Sequence, residues 1–274
     1  MKRLINLHPG RGWALLLGAL PFLLVAMLYL AGSAARLAEN PSDKLLPSPA
    51  SLADAVHRVA VEPDQRSGQV LLWADTAASL QRLGLGVGIS AAIGLVVGVL
   101  TGLVPLARAP LSPLVSVLSM IPPMAVLPSL FIVFGLAELS KVALIVIGIA
   151  PFVVREVDGR VRELPTEQLI KAQTLGASTW LIAIRVVLPQ TLPRLVNAVR
   201  LSLGAAWLFL IAAEAIASTE GLGYRIFLVR RYLAMDVILP YVAWITLLAY
   251  LTDFGLKQVS RTLFPWYRGR EGEA

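Results

Sequence analysis

Residues Arg155 to Arg200 read REVDGRVRELPTEQLIKAQTLGASTWLIAIRVVLPQTLPRLVNAVR. This polar stretch lies between two segments that are too apolar for water. Its middle predicts two short helices, the first capped by Thr166 and ended by Gly176 in a positive-φ conformation. Leu188-Pro189 and Pro193 are expected to end the second helix and to redirect the chain, because proline disfavours helical backbone just before it.

The composition of the 274-residue chain is that of a membrane protein. Hydrophobic residues make up 57% and charged residues only 15%, whereas soluble domains are about half apolar and about a quarter charged. The net charge of +7 fits basic residues at the cytoplasmic ends of membrane spans better than a nucleic-acid surface. The absence of cysteine excludes disulfides, thiolate metal sites and cysteine nucleophiles.

Six apolar segments predict an all-α fold that crosses a membrane about six times, given the ~20 residues that one helical crossing needs. The predicted spans are Trp13–Gly32, Thr76–Val104, Leu111–Phe134, Val142–Val154, Ala198–Ile216 and Val237–Phe254. The first is expected to be retained rather than cleaved, because it is longer than the apolar region of a signal peptide.

Changes in composition divide the chain further. We expect 1–32 to hold a cytoplasmic N-terminus and the first span, and 33–75 to form a periplasmic loop with a short helix at Ser51–Val59. A core of five spans follows at 76–256, and a basic cytoplasmic tail at 257–274. Most basic residues, Lys2 and Arg3 among them, then fall on the side of the polar stretch, whereas Arg66 does not. That side is therefore predicted to be cytoplasmic.

Two spans have unusual sequences. Gly94, Gly98 and Gly102 are four residues apart and share one helix face, which favours close packing of another helix. The third span contains IPPMAVLP, in which Pro122, Pro123 and Pro128 remove backbone donors. Such breaks occur in membranes where protein or a water-filled cavity satisfies the freed groups, so the segment lines a pathway or forms a simple kink.

The fifth span and the segments around it carry further candidate residues. Glu214 is a costly charge inside a membrane, so it serves a pathway or gate, or it forms a structural ion pair. The candidate partners for that pair are Arg225, Arg230 and Arg231 in a polar loop, Thr219–Asp236. Trp207 and Phe209 serve packing or contact the cargo. Asp253, near the end of the sixth span, is expected to reach the cytoplasmic interface, where Lys257 is a candidate partner.

The two short helices of the polar stretch have apolar residues that a loop of this size cannot bury alone. They lie on the membrane surface, or they insert into a groove of a partner protein. Periodicity leaves both alternatives open.

The polar stretch resembles the cytoplasmic loop of permease subunits from bacterial binding-protein-dependent ABC importers. That family has Glu-Ala-Ala, a later Gly and an Ile/Val-x-Leu-Pro end. Here the counterparts are Ile170-Lys171-Ala172, Gly176 and Val186–Pro189. Ile170 and Lys171 depart from the Glu and Ala of the family, which puts one specific salt bridge in doubt but not the docking.

Other motifs resemble the branch of this family that carries nitrate, taurine and other sulfonates, and bicarbonate. They are LPSP at Leu46–Pro49, SLQR at Ser79–Arg82, FGLAELSK at Phe134–Lys141, AAE at Ala212–Glu214 and GLGY at Gly221–Tyr224. The resemblance covers nearly the whole chain after the first span.

The resemblance implies an inner-membrane permease of the type I ABC importer fold. Two copies would form the pore, two separate ATPase subunits would grip the loop 155–200, and a periplasmic or lipid-anchored binding protein would deliver the solute. The implied coupling residues are Ile170, Lys171, Ala172, Leu175, Gly176, Ala177, Ser178, Leu188 and Pro189, and the candidate pathway residues are Pro122, Pro123, Met124, Trp207 and Glu214.

The chain has no GxxxxGK[ST] loop, so we expect no ATP hydrolysis by this subunit and no cofactor on it, with ATP and Mg on the partner ATPase. The cargo is expected to be a small nitrogen- or sulfur-containing compound: nitrate, a sulfonate such as taurine, or a ureido or guanidino compound. The rival interpretation is an ion-coupled secondary transporter, although no inverted repeat is recognisable.

Overall fold

The computed structural model describes residues 10–41, 43–65 and 67–270. Lys2, Arg3, Arg66 and the last four residues of the predicted tail lie outside the described residues. Regular structure within the described ranges is helical. The helices are α1 (Arg11–Glu39), α2 (Pro49–Ala60), α3 (Leu71–Leu103), α4 (Pro105–Leu118), α5 (Pro123–Phe134), α6 (Glu138–Arg162), α7 (Thr166–Thr174), α8 (Thr179–Ile182), α9 (Leu188–Ala217), α10 (Leu222–Val229) and α11 (Met235–Leu263).

Four described helical segments are long and apolar enough to cross a membrane: Gly12–Glu39, Leu71–Leu103, Thr179–Ala217 and Met235–Leu263. The pair α4 and α5 makes a fifth crossing if it is one span bent by 96°. This bend confirms that the proline-rich third span is interrupted. The predicted fourth span, Val142–Val154, lies within the 25-residue α6, which carries charged residues at both ends.

Contacts divide the chain into two compact units, and the first comprises Met1–Val70 with Val229–Tyr241. Its segment after α1 is held by the Tyr29 hydroxyl, which donates to the carbonyl of Pro47 at 2.7 Å. Ser48 caps α2 by accepting from the backbone N–H of Ser51 at 3.1 Å, and α2 confirms the predicted short helix. Hydrogen bonds from the backbone of Leu45 and from Arg36 lower the pKa of the Asp43 carboxyl.

The second unit, Leu71–Leu228 with Val242–Ala274, is built on close packing of α3 against α6. A Cβ atom at Gly94 would lie 2.3 Å from Cγ1 of Val153, well inside van der Waals contact. Gly98 and Gly102 meet Val157 and Val161 in the same way, with closest distances of 2.7 and 2.5 Å. The predicted close approach at the glycine face is therefore confirmed. These three valines belong to a buried core that α9 completes with Leu195, Ala198 and Val199.

The prediction that Leu188-Pro189 and Pro193 redirect the chain is wrong. A single helical segment runs from Thr179 to Ala217. The five residues Ala183–Val187 are π-helical, and Pro189 then falls in the first turn of α9. The wider π turn changes which carbonyls need a donor, so a proline directly after it breaks no regular hydrogen bond. The helix that contains the predicted fifth span, Ala198–Ile216, accordingly begins well before Ala198.

Two smaller expectations also change. Pro165, not Thr166, occupies the N-cap of α7, and no side chain caps that helix. The predicted polar loop Thr219–Asp236 contains α10 and a 3₁₀ turn at Arg230–Tyr232. Leu222 at the start of α10 is fully buried, which a solvated loop would not allow.

Candidate functional site: an exposed two-helix loop and a buried ion cluster

The two-helix loop, residues 163–182, has a fixed bend at Gly176. This glycine has φ +80°, and its N–H donates to the carbonyl of Gln173 at 2.9 Å. The N–H of Ala177 donates to Ala172 at 3.0 Å, which completes a Schellman ending for α7. Ser178 then caps α8 by accepting from Leu181 at 3.3 Å. Local hydrogen bonds therefore define the angle between the two helices.

One face of the two-helix loop is partly buried against its own unit. Leu169, Ala172 and Ala177 pack against the core that contains Val157 and Ile182. The rest of the loop carries large apolar side chains that stay exposed: Ile170 at 52%, Leu175 at 87%, Trp180 at 74% and Leu181 at 45%. The loop is thus held by the face that packs on the core, and its opposite face is apolar and exposed.

Most of the predicted coupling residues lie together in this loop. Ile170, Lys171, Ala172, Leu175, Gly176, Ala177 and Ser178 form the end of α7, the bend and the cap of α8. Leu188 and Pro189 do not belong to it, because they lie in the first turn of α9 beyond the π-helical residues.

A buried ion cluster lies in the same unit and is centred on Arg82, which is 3% exposed. Its guanidinium donates to Glu214 Oε1 at 2.8 Å and forms a two-pronged pair with Glu138, in which Nη2 lies 2.9 Å from Oε1. Lys141 donates to the same Glu138 oxygen at 2.7 Å. Arginine's planar fork suits this arrangement because it binds two carboxylates at once.

The ion cluster also holds the segment between α9 and α10. Glu214 is fully buried, and its Oε2 accepts from the backbone N–H of Gly223 at 2.9 Å. Ser79 Oγ donates to Glu214 Oε1 at 2.8 Å and accepts from the N–H of Leu222 at 2.9 Å. Gly221 has φ +122°, and a Cβ there would lie 2.5 Å from the Glu214 carboxyl carbon. Only glycine fits this position.

Asp75 fastens the same segment from the next turn of α3. Its Oδ1 accepts from the N–H of Gly221 at 2.9 Å, and its Oδ2 accepts from Arg225 at 2.8 Å. Arg225, one of the candidate partners of Glu214 in the sequence analysis, is therefore the partner of Asp75. Asp75, Ser79 and Arg82 are spaced four and three residues apart, so a shared helix face was the signal that could have found them.

Two predicted ion pairs are therefore wrong. Glu214 pairs with Arg82 rather than with Arg225, Arg230 or Arg231. Asp253 is hydrogen-bonded to Arg200, whose Nε and Nη2 lie 2.8 and 3.0 Å from its two oxygens, and Lys257 acts on it only as a more distant charge. In both cases the partner comes from a helix distant in sequence, where local spacing gives no guidance.

The predicted pathway residues fall into two environments. Trp207 and Glu214 lie on the buried face of α9, with exposures of 5% and 0%. Trp207 Nε1 has no hydrogen-bond partner within the described ranges. Pro122, Pro123 and Met124 lie at the bend between α4 and α5, where Met124 is 42% exposed.

Several long apolar helices, with an exposed two-helix loop between two of them, are an arrangement typical of a transporter permease. Residues 90–264 match the family described as "Binding-protein-dependent transport system inner membrane component". The chain belongs to this family.

Curated relatives agree with this assignment. The chain is 38% identical to the taurine transport system permease protein TauC of Escherichia coli, over 72% of this chain and 71% of TauC. It is 29% identical to the putative aliphatic sulfonates transport permease protein SsuC of Bacillus subtilis, over 98% and 94%. The bicarbonate transport system permease protein CmpB of Synechococcus elongatus is 32% identical over 77% and 74%.

A solved structure shares the fold. A chain of the inward-facing MetNI methionine ABC transporter superposes with a TM-score of 0.62 at 24% identity, covering 73% of this chain and 99% of that one. The protein is thus the permease subunit of an ABC importer, a multi-pass protein of the inner membrane. It is a transport component that works with ATPase and binding-protein partners, and the ion-coupled alternative is set aside.

Proposed function

We propose that the two-helix loop docks into a groove on a separate ATPase subunit and transmits ATP-driven closure to the spans. The observation that carries this is the exposure of Leu175 and Trp180, 87% and 74%, on a loop whose other face is packed in the core. An apolar helical surface held rigidly in this way is pre-organised for a groove, so little ordering entropy opposes binding.

The assembly follows from this role. Two copies of the chain form the pore, and two ATPase subunits bind ATP and Mg, so this subunit needs no cofactor and performs no hydrolysis. The loop and both termini face the cytoplasm, which the larger number of basic residues on that side supports. Pro122, Pro123, Met124, Trp207 and Glu214 line or gate the pathway between two discrete states of the pore.

The cargo is a small oxyanion, and a sulfonate such as taurine is the first candidate. The support comes from the relatives, because the transporters for taurine, aliphatic sulfonates and bicarbonate all carry small oxyanions. The remaining candidates from the sequence are nitrate and ureido or guanidino compounds.

Docking is tested by placing a charge on the exposed loop. Leu175→Asp is expected to abolish co-purification with the ATPase subunit and ATP-driven uptake of labelled taurine, while the thermal unfolding midpoint stays unchanged. Val61→Asp is the matched control, since Val61 is also exposed, at 59%, and lies outside the loop. Unimpaired co-purification of Leu175→Asp would refute the docking.

Orientation is tested with single cysteines, because the chain contains none. A membrane-impermeant maleimide is expected to label Lys171→Cys in inverted vesicles and not in intact cells. Labelling in intact cells would place the loop outside and refute the assignment of sides.

A further inference from the structure

Two adjoining cavities lie where the ends of α6, α9 and α11 meet, away from the ion cluster around Arg82. The first has a volume of about 340 Å³ and the second about 420 Å³. Both are lined by Arg160 and Arg194, so these two side chains separate them. A volume of this size holds a small molecule or a lipid headgroup.

The first cavity carries one more positive charge than negative. Its carboxylates are already engaged: Glu156 lies 2.9 Å from Arg160, and Asp253 lies 2.8 Å from Arg200. Glu163 also bonds Arg160 from the second cavity, but its side chain is 62% exposed and therefore screened by water.

The remaining charge belongs to Arg194. In the part of the chain that the structure describes, no carboxylate pairs with it. Its guanidinium lies over the ring of Tyr267, 4.9 Å from the ring centre. This contact holds the side chain by a cation–π interaction, and among the described residues no carboxylate accepts from its N–H groups.

Asn197 provides a second donor group in the same cavity. Its Oδ1 accepts from Arg200 Nη1 at 3.4 Å, whereas its amide N–H groups have no acceptor among the described residues. An amide and a guanidinium that have no acceptor among the residues described lie one helical turn apart on α9, and the lining of the first cavity carries a net charge of +1. Such an arrangement suits an oxygen-rich anion, because arginine binds oxyanions through two parallel hydrogen bonds.

We propose that the first cavity, which we name the Arg194 pocket, binds a singly charged oxyanion group through Arg194 and Asn197. A monoanion balances the unpaired charge, and a dianion would leave a new excess. Leu201, 73% exposed, adds apolar surface to the first cavity, and Trp266, 62% exposed, adds it to the second, for a carbon chain attached to the anion.

Two sources share this chemistry: a free sulfonate and the phosphodiester headgroup of an anionic lipid. The pocket lies at the ends of the spans, where a basic cavity between helices meets lipid headgroups. The free-sulfonate source rests on the proposed function, because a sulfonate would reach the pocket as cargo. The lipid source does not depend on it.

The experiment measures binding to the permease–ATPase complex in nanodiscs, without ATP and without transport. In one arm, methanesulfonate is titrated into phosphatidylcholine nanodiscs while tryptophan fluorescence is followed, since Trp266 borders the second cavity. In the other arm, native mass spectrometry counts the phosphatidylglycerol molecules retained from mixed-lipid nanodiscs. The arm that gives binding identifies the source.

Arg194→Gln is expected to weaken binding about tenfold or more, the usual effect of losing a charge-assisted hydrogen bond. Arg261→Gln is the matched control, because it removes the same charge from an exposed position on α11 that lines neither cavity. Asn197→Leu is expected to weaken binding less than Arg194→Gln does.

The proposal is overturned if neither probe binds the parent complex at millimolar concentration, or if Arg194→Gln and Arg261→Gln bind equally well. Failure of the proposed function gives a different pattern: ATP-driven uptake of taurine is absent, whereas the binding arms are unaffected.

Discussion

The buried ion cluster around Arg82 and the exposed two-helix loop are served by the same long helical segment, Thr179–Ala217, near its two ends. In the cluster, Glu214 and Arg82 are buried, and each makes several hydrogen bonds. In the loop, Leu175 and Trp180 are exposed and apolar. One end of the segment is therefore buried within the chain, and the other carries the exposed apolar surface on which the proposed docking rests.

The largest expected effect comes from removing the Glu214 carboxylate from the ion cluster. Glu214→Ala leaves Arg82 with Glu138 and the backbone carbonyl of Glu220, and it removes the acceptor of the Gly223 N–H. We expect the free energy of unfolding to fall by about 3 kcal/mol, since removing one partner of a buried ion pair leaves the other buried charge less compensated. Denaturant unfolding of the purified chain in micelles measures this.

Glu220→Ala is the control for that substitution. Its carboxylate is 57% exposed and lies 3.7 Å from Arg82. A cost below about 1 kcal/mol is expected for such a solvated pair. Equal losses of unfolding free energy for Glu214→Ala and Glu220→Ala would mean that burial does not determine how much an ion pair contributes to stability.

The second effect concerns the packing between α3 and α6, which supports both regions. Gly94→Ala places a methyl group against Val153 and is expected to cost about 1–3 kcal/mol by overpacking. Gly88→Ala is the matched control on the same helix, because nothing lies within 4 Å of its Cβ. It should be neutral or stabilising, by up to about 1 kcal/mol. Similar unfolding energies for the two variants would contradict the close contact.

The buried ion cluster and the two-helix loop also differ in how well the sequence predicts them. The apolar runs, the glycine face and the bend at Gly176 are local signals, and the structure confirms them. The Glu214 partner is 132 residues away on α3, and its identity depends on the relative register of two helices. Spacing within one helix carries no information about that register.

The proline prediction failed for a different reason. Pro189 ends a helix by local rules, yet the preceding π-helical turn, Ala183–Val187, relieves the conflict. Periodicity of side chains does not reveal a change in the hydrogen-bond pattern of the backbone.

A third and smaller effect is expected in the loop. Gly176→Ala puts a side chain at φ +80° with open space around it, so strain costs about 1 kcal/mol. Because the loop bend is local, we expect ATPase co-purification to weaken more than overall stability. Gly159→Ala has equally open space inside α6 without positive φ, so it should leave co-purification unchanged and should be neutral or slightly stabilising. Equal losses of ATPase co-purification and of overall stability would contradict a bend whose effect is confined to the loop.

The smallest effect is expected for the exposed ion pair between Arg160 and Glu163, at the start of the two-helix loop. Glu163→Gln removes a carboxylate that is 62% exposed and 3.0 Å from Arg160, which keeps Glu156 as a partner. A change below about 0.5 kcal/mol is expected, and it should vanish at high salt. A loss comparable to that of Glu214→Ala, measured by the same unfolding assay, would erase the contrast between buried and solvated charges.

The π-helical turn makes one continuous rod of 39 residues from Thr179 to Ala217, about 58 Å long at the usual rise per residue. Trp180 near one end and Glu214 near the other therefore belong to the same helical segment. If the two-helix loop docks on an ATPase subunit as proposed, a displacement of Trp180 would be carried along this segment to the glycine segment that Glu214 holds. The docking surface and the buried ion cluster would then be linked by one helix rather than by a chain of separate elements.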